Sequence, residues 1–265
     1  MNISNVQSSC YDLVGRYKER RDSMNLSKKF KSLVLVGVLV ATLPVTTMAK
    51  GPEKKVIDYV ALGDSLAAGA TPFGKKDLGY PDYLAKRFEQ SQYTVDFDNF
   101  AVGGYKSGDV VNQVLTNPDV IASIKEAEYL TIDIGGNDLL PVVKTKPANV
   151  PATIFGVALN INTILKTIDI INPNAKVYVM GYFNVLPYLP EAQQQFLLPV
   201  LDSFNSAIEN TARANGDTFV PTAKIIAKDY PTYLPNPNDI HLSLEGYQIV
   251  AKEFWKYIDK SKNNH

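Results

Sequence analysis

Four short segments of the chain carry residue types that suit acyl transfer. They are Gly-Asp-Ser-Leu at 63–66, Asn-Phe-Ala-Val-Gly-Gly at 99–104, Gly-Gly-Asn-Asp at 135–138 and Asn-Asp-Ile-His-Leu-Ser at 238–243. A serine becomes a useful nucleophile at neutral pH when an imidazole accepts its proton, and a carboxylate can fix the tautomer of that imidazole. The chain has 2 histidines, His241 and the carboxyl-terminal His265, so His241 is the candidate base for Ser65.

Further residues of these segments could complete such a site. Asp239 lies two residues before His241 and could orient its ring. The backbone N–H groups of Ser65 and Gly104 and the side-chain amide of Asn137 are candidates for an oxyanion hole, because glycine allows the backbone to approach a substrate closely. The set predicts acyl transfer to water through a covalent acyl-serine.

The four segments fall at places that a parallel sheet would bring together. The residue pattern indicates strands at 56–63, 94–99, 129–134, 176–180 and 218–220, and helices at 80–92, 107–115, 154–171, 191–215 and 243–259. Strands that alternate with helices of this length favour βαβ units, hence an α/β fold with helices on both faces of a parallel sheet. Because ligands bind at the carboxyl ends of such strands, we expect the four segments to converge there.

The composition excludes several classes of protein. The 265 residues are 45% hydrophobic and 20% charged, which is typical of a globular domain and not of a disordered or fibrous chain. The 27 basic and 27 acidic residues leave no net charge to attract nucleic acid, so no nucleic-acid partner is predicted. The single cysteine, Cys10, cannot form an internal disulfide, and no Cys/His cluster is present for zinc, so no metal and no cofactor are predicted.

The segment 24–49 is predicted to be a secretory signal peptide. Three lysines at 28, 29 and 31 precede an apolar run at 33–45, and small residues follow at 47 and 49. The apolar run is shorter than the ~20 residues that a membrane helix needs, which favours cleavage after Ala49. An uncleaved anchor is the alternative. We therefore predict a secreted protein without a stable membrane span after cleavage.

Residues 1–23 precede Met24 and its complete signal. They are therefore predicted to be a non-native addition or an over-extended reading frame, and an unusually long start of the signal is the alternative. Cys10 then lies outside the mature chain. A single catalytic domain is predicted over 50–265.

The four segments also resemble the sequence blocks of the GDSL-type esterases and lipases, a family of the SGNH hydrolase superfamily. The blocks are 63–66, Asn99 with Gly104, 135–138 and 238–247. They stand in the order of the family, and the resemblance extends from Tyr59 to Trp255. It implies a flavodoxin-like, three-layer α/β/α sandwich around a central five-stranded parallel sheet.

The resemblance implies roles for single residues: Ser65 as nucleophile, His241 as base, and Gly104 and Asn137 as oxyanion partners. The chain departs from the family's usual Asp-x-x-His spacing, because position 238 is Asn238. Either Asp239 takes over the role of the acid, or the backbone carbonyl of Asn238 orients the imidazole and a dyad remains. We favour Asp239, since a charged partner stabilises an imidazolium more than a carbonyl does.

These residues predict an exported serine hydrolase that cleaves carboxylic esters. A short-chain or lipid-derived ester is the expected substrate, and a carbohydrate O-acetyl group or an acyl thioester is the alternative on the same scaffold. A flavodoxin-like module that only binds a phosphate is disfavoured, because neither Gly-x-Gly-x-x-Gly nor Gly-Lys-Ser/Thr is present. An inactive surface protein is disfavoured because Ser65, Asn137 and His241 are intact.

Two local expectations concern residues beside these segments. Ser107 is predicted to be the N-cap of the helix at 107–115, because serine favours that position. Asp64 and Asp138 are expected to be structural, each accepting backbone N–H bonds that hold its own sharp loop.

Overall fold

A sheet of five parallel strands forms the centre of the described chain, which comprises residues 54–263 of a computed structural model. The strands are β1 (Val56–Gly63), β2 (Thr94–Asn99), β3 (Tyr129–Asp133), β4 (Lys176–Met180) and β5 (Thr218–Val220), in the spatial order β2-β1-β3-β4-β5. All neighbouring strands run parallel, so their carboxyl ends share one edge. The predicted segments 1–23 and 24–49, and His265, lie outside the described residues.

Helices cover both faces of the sheet. They are α1 (Tyr80–Gln90), α2 (Ser107–Thr116), α3 (Pro118–Glu126), α4 (Gly136–Thr145), α5 (Val150–Ile171), α6 (Glu191–Ala214), the single-turn helices α7 (Ala223–Ile226) and α8 (Tyr230–Tyr233), and α9 (Leu244–Asn263). Helix α5 packs between α2 and α6, whereas α1 packs against α9. The predicted three-layer sandwich around a five-stranded parallel sheet is confirmed.

The central strands β1 and β3 are apolar almost throughout, because helices cover both of their faces. Leu62 of β1 and Leu130 of β3 are fully buried. Between the sheet and the α1–α9 pair, Phe88 lies against Tyr59 and Trp255, with ring centroids 5.9 and 5.1 Å apart. Because this core is closely packed, the sheet is rigid and fixes the starting points of the loops at its carboxyl edge.

Helix α5 and the turn before it, Pro147–Ile171, form the one described segment that is long and apolar enough to cross a membrane. The core helix of a soluble protein meets the same criteria. Here Ile161, Ile164 and Leu165 are buried in the core, and the helix packs against α2 and α6. Phe155, Leu159 and Ile170 of the same helix are exposed, so burial in the core accounts for only part of its high hydropathy.

The start of α2 differs from the prediction. Its N-cap is Lys106, and Ser107 is the first helical residue. The N–H and the hydroxyl of Ser107 both donate to the carboxylate of Asp138, each at 2.9 Å. The prediction of Ser107 as N-cap was wrong, because a carboxylate from α4 satisfies this helix end. Asp138 thus connects two helices and does not hold its own loop.

Candidate active site

Ser65 lies in a tight turn that directly follows the carboxyl end of β1. The strand ends at Gly63, and within the turn the N–H of Ala70 donates to the carbonyl oxygen of Ser65 at 2.9 Å. Gly69 has a φ of +80°, and a Cβ atom there would lie 2.0 Å from the carbonyl oxygen of Asp77. Only glycine fits at position 69. It allows the tight turn that places Ser65 at the carboxyl edge of the sheet.

The hydroxyl of Ser65 is hydrogen-bonded to His241, which lies 176 residues further along the chain. Oγ is 2.9 Å from Nε2, and the other ring nitrogen, Nδ1, is 2.7 Å from Oδ1 of Asp239. The side chains of His241 and Asp239 are 20% and 29% exposed, so the ring is largely shielded from bulk water. With Nδ1–H donating to the carboxylate, Nε2 becomes the acceptor that a serine hydroxyl needs.

The two loops that carry this series of hydrogen bonds are fastened to each other. The side-chain amide of Asn236 donates to the carbonyl oxygen of Pro72 at 2.6 Å. The hydroxyl of Tyr247, on α9, donates to the carbonyl oxygen of Ala70 at 2.5 Å. The relative position of Ser65 and His241 therefore does not depend only on the hydrogen bond between them.

Asn238, which stands where the family usually has its acid, has a different set of contacts. Its backbone N–H donates to Oδ1 of Asn236 at 3.1 Å. Among the described residues, the hydrogen bond of His241 Nδ1 runs to Asp239 and not to the carbonyl of Asn238. The geometry contains the bond that the interpretation with Asp239 as the acid requires.

Asn137 lies in the first turn of α4, immediately after β3. Gly135 precedes the helix with a φ of +112°, and a Cβ atom there would lie 2.5 Å from Val157 and 3.0 Å from the ring of Phe204. Glycine therefore allows the helix to begin directly at the strand end. The amide nitrogen of Asn137 donates to the carbonyl oxygen of Tyr105 at 2.9 Å, and an amide has a second N–H for a ligand.

Gly103 and Gly104 belong to the loop after β2. A Cβ atom on Gly103 would lie 3.9 Å from Cβ of Ser65, so this loop runs beside Ser65. Gly104 has a φ of +85°, and no heavy atom lies within 4 Å of where its Cβ would be. Ser65 and Asn137 line the same cleft, whereas Gly104 is not part of its lining.

That cleft is open to solvent on one side. Most of its lining is apolar and comes from α4, from α6 and from the loops near β4 and His241: Leu139, Leu140, Val185, Leu201, Phe204 and Ile240. An apolar group bound there is removed from water and meets few polar partners.

A buried polar network lies behind Ser65. Asp64 and Asp133 are 3% and 0% exposed. The hydroxyl of Tyr182 donates to Asp64 at 2.9 Å, and that of Tyr80 donates to Asp133 at 2.8 Å. Burial raises the pKa of Asp64, and burial together with the neighbouring Asp64 raises the pKa of Asp133 well above its usual range. Sequence reasoning missed Asp133 and Tyr80; the available signal was an acid that ends an otherwise apolar strand.

The sequence profile of the GDSL-like lipase/acylhydrolase family matches residues 61–249 of the chain. The match includes Ser65, Asn137 and His241 and spans every strand end described above. The chain therefore belongs to this family of ester hydrolases, and the resemblance inferred from the four sequence blocks is confirmed.

Individual proteins are also similar to this chain. The uncharacterized protein YpmR of Bacillus subtilis (strain 168) is 25% identical over an alignment of 244 residues that covers 85% of this chain and 93% of YpmR. The structure of the lipase Lip_vut3 from a goat rumen metagenome has a TM-score of 0.65 at 21% identity, over 76% of this chain and 96% of that one. A family 3 carbohydrate esterase of Clostridium thermocellum has a TM-score of 0.57 at 21% identity, over 79% and 98% of the two chains. The fold is thus shared with a lipase and with a carbohydrate esterase.

Proposed function

We propose that the chain is an exported serine esterase that hydrolyses carboxylic esters with an apolar acyl group. The observation that carries the proposal is the hydrogen-bonded series of Ser65, His241 and Asp239, with distances of 2.9 and 2.7 Å. It supplies the nucleophile, the base and the orienting carboxylate that acyl transfer to water requires. The family assignment supports the same class of reaction.

In the first half of the proposed reaction, Oγ of Ser65 forms a bond to the ester carbonyl carbon while Nε2 of His241 accepts the hydroxyl proton. The carbonyl oxygen becomes an oxyanion, which binds the N–H groups of Ser65 and Gly104 and the amide of Asn137. The bond to the alcohol oxygen then breaks, and the imidazolium gives its proton to the departing alkoxide.

In the second half, the acyl-serine is hydrolysed by the same groups. His241 accepts a proton from a water molecule as that water attacks the acyl carbonyl carbon, and the carboxylic acid leaves as Ser65 regains its proton. Asp239 accepts the hydrogen bond from Nδ1 of His241 and stabilises the imidazolium. The proposed reaction needs neither a metal nor a cofactor.

The apolar cleft supports an acyl chain as the group that is bound beside Ser65. Each methylene that enters such a lining gains about 0.8 kcal/mol, which corresponds to about fourfold in kcat/KM. An acetyl group would gain little from Leu139, Leu201 and Phe204, which line the cleft. The cleft therefore favours esters of longer acids over the carbohydrate O-acetyl alternative.

Two measurements test the proposal. A fluorophosphonate probe is expected to form an adduct on Ser65, and the variant Ser65→Ala is expected to fold and to lose both labelling and hydrolysis. Nitrophenyl esters from acetate to dodecanoate, compared with acetylated xylan and an acyl-CoA, are expected to show kcat/KM rising with acyl length. Absence of an adduct on the folded protein would contradict a serine mechanism, and a preference for acetylated xylan or acyl-CoA would replace the proposed substrate.

Export is proposed from the signal-like segment at 24–49. Protein collected from the culture medium is expected to begin at Lys50 in amino-terminal sequencing. Protein that stays with the membrane fraction and retains this segment would instead support the uncleaved anchor.

A further inference from the structure

Two buried carboxyl groups lie next to the proposed nucleophile and take no part in the proposed reaction. Asp64 directly precedes Ser65, and Asp133 ends β3 beside Gly63, its register partner in β1. Among the described residues, no lysine, arginine or histidine forms an ion pair with either carboxyl group. Two buried negative charges without a cation repel each other and lose their hydration, so one of the two groups is expected to keep a proton.

Asp64 has the hydrogen-bond donors that suit an ionised carboxylate. Its Oδ1 accepts the backbone N–H of Leu66 at 3.0 Å, and its Oδ2 accepts the hydroxyl of Tyr182 at 2.9 Å. Hydrogen bonds to the charged form favour that form. Asp64 is therefore the member of the pair that carries the charge.

Asp133 has the surroundings of a neutral acid. It is fully buried, its Oδ1 accepts the hydroxyl of Tyr80 at 2.8 Å, and its Oδ2 meets the backbone N–H groups of Asp64 and Ala67 only at 3.4 Å. Its carboxyl group lies beside Asp64, since its Oδ2 is 3.4 Å from the backbone nitrogen of that residue. One proton between the two groups satisfies both, because the acid donates and the carboxylate accepts.

We infer that Asp133 is a positioning residue of the proposed esterase, which as a neutral acid donates a hydrogen bond to the Asp64 carboxylate and so holds the turn of Ser65. The inference rests on the proposed function. Asp133 contacts the turn on both sides of the nucleophile, since its backbone carbonyl accepts the N–H of Asp64 at 3.1 Å and its side chain reaches Ala67. A nucleophile that is misplaced by about 1 Å can lose ~10²-fold in rate.

The electrostatic surroundings agree with this assignment. Burial and the charge of Asp64 raise the pKa of Asp133, while the hydrogen bonds from Leu66, Asp133 and Tyr182 oppose the rise that burial causes in the pKa of Asp64. The other titratable groups that face the pair from neighbouring elements are Tyr59, Tyr80, Tyr182, Tyr247 and His241.

Two substitutions of Asp133 test the positioning role. Asp133→Leu removes the donor and is expected to lower kcat by ~10²-fold with KM changed far less. Asp133→Asn keeps a neutral donor toward Asp64 and an acceptor for Tyr80, so it is expected to restore kcat to within severalfold of the wild type. The control Asn172→Ala removes two partly buried hydrogen bonds just before β3, at 2.9 and 2.8 Å to the carbonyl oxygens of Ile124 and Ala127, and is expected to lower Tm without lowering kcat.

Asp64→Asn, the same substitution at the other member of the pair, is expected to affect the pH profile of kcat/KM differently from Asp133→Asn. Asp64→Asn removes a charge that attracts the protonated imidazole of His241, so the acidic limb of the kcat/KM profile is expected to move to lower pH. In Asp133→Asn the charge of the pair is unchanged, and the acidic limb is expected to stay in place. If Asp133 carried the charge instead, Asp133→Asn would move the acidic limb and Asp64→Asn would leave it in place, which would overturn the assignment.

If a variant fails to fold, the protonation state of the Asp64–Asp133 pair can be measured in the wild-type protein. With carbon-13 at the aspartate carboxyls, NMR is expected to show one carboxyl that stays protonated at a pH where the other aspartates, Asp217 included, have ionised. Absence of that signal would overturn the inference, as would Asp133→Asn that is as slow as Asp133→Leu, or folded Asp133→Leu with wild-type kcat. If Ser65→Ala keeps the hydrolytic activity, the proposed serine mechanism fails, but the NMR signal of the protonated carboxyl can still be measured. The two failures are therefore distinguishable.

Discussion

Oδ1 of Asp239 accepts two hydrogen bonds from His241, one from the backbone N–H at 2.8 Å and one from ring Nδ1 at 2.7 Å. The spacing of two residues lets the carboxylate turn back over its own loop and meet both groups. An acid at this position therefore reaches the imidazole without the longer Asp-x-x-His spacing. The backbone N–H of Asn238 instead donates to Oδ1 of Asn236 and stabilises the loop.

The first prediction concerns this carboxylate. Asp239→Asn is expected to lower kcat by ~10²–10⁴-fold, because the amide no longer fixes the tautomer in which Nε2 accepts the proton of Ser65. The matched control is Asn238→Ala, whose side chain is exposed and which is expected to keep kcat near the wild-type value. A near-normal rate in Asp239→Asn would favour the dyad oriented by the Asn238 carbonyl.

The second prediction concerns the proposed oxyanion site. Asn137→Ala is expected to lower kcat by ~10²–10³-fold with little change in KM, because the lost amide acts on charge that develops in the transition state. Asn160→Ala is the control: it also removes a partly buried amide bond, 2.9 Å to Ser107, but away from the cleft. Equal losses of kcat in the two variants would argue against an oxyanion role for Asn137.

The third prediction concerns the cleft. Leu201→Phe is expected to narrow it and to lower kcat/KM for octanoate by ~10-fold or more, with acetate little affected, because several methylenes lose their apolar surroundings. Leu198→Phe makes the same change on the same helix at a position that is 43% exposed. Equal effects of Leu201→Phe on both esters would place the acyl chain elsewhere.

The fourth prediction concerns Asp217, which precedes β5. Burial, with a smaller effect of Asp169, raises its pKa from 3.8 to about 7, and its Oδ2 is buried without a hydrogen-bond partner among the described residues. The folded state therefore holds this proton more tightly than the unfolded state does. Its contribution to stability is present at low pH and is lost as the pH rises from about 4 through 7.

Asp217→Asn removes this dependence and is expected to raise Tm more at about pH 8 than at about pH 5. Thermal unfolding at the two pH values measures the difference. Asp202→Asn, at an exposed carboxylate of α6, is the control and is expected to change Tm equally at both. A larger gain at the lower pH would contradict the assigned direction of the Asp217 pKa.

The strands could be predicted closely from the sequence, because four are short, mostly apolar runs between polar or glycine residues and β2 alternates apolar with polar residues. The bounds of β1, β2, β4 and β5 agree with the prediction, and β3 ends one residue earlier, at Asp133. Helices α3 and α4 were not predicted. The first begins at Pro118 behind the N-cap Asn117, a signal that was overlooked. The second contains Pro141 and begins with glycine, and both residues are unfavourable within helices.

The meeting of Ser65 and His241 could be inferred from sequence, since the carboxyl ends of parallel strands share one edge. The partners of Asp133 could not. Whether an acid at a strand end is ionised depends on its burial and on nearby donors such as Tyr80, which lies 53 residues away in the chain. A local sequence pattern contains no information about a contact between residues this far apart.

The turn of Ser65 follows the first strand, whereas the loop of His241 precedes the last helix, α9, and the bond from Tyr247 to Ala70 joins the two ends of the domain. A chain still growing on the ribosome thus contains Ser65 long before His241, which follows 176 residues later. The proposed ester hydrolysis can begin only after His241 has been synthesised and has folded against the turn of Ser65.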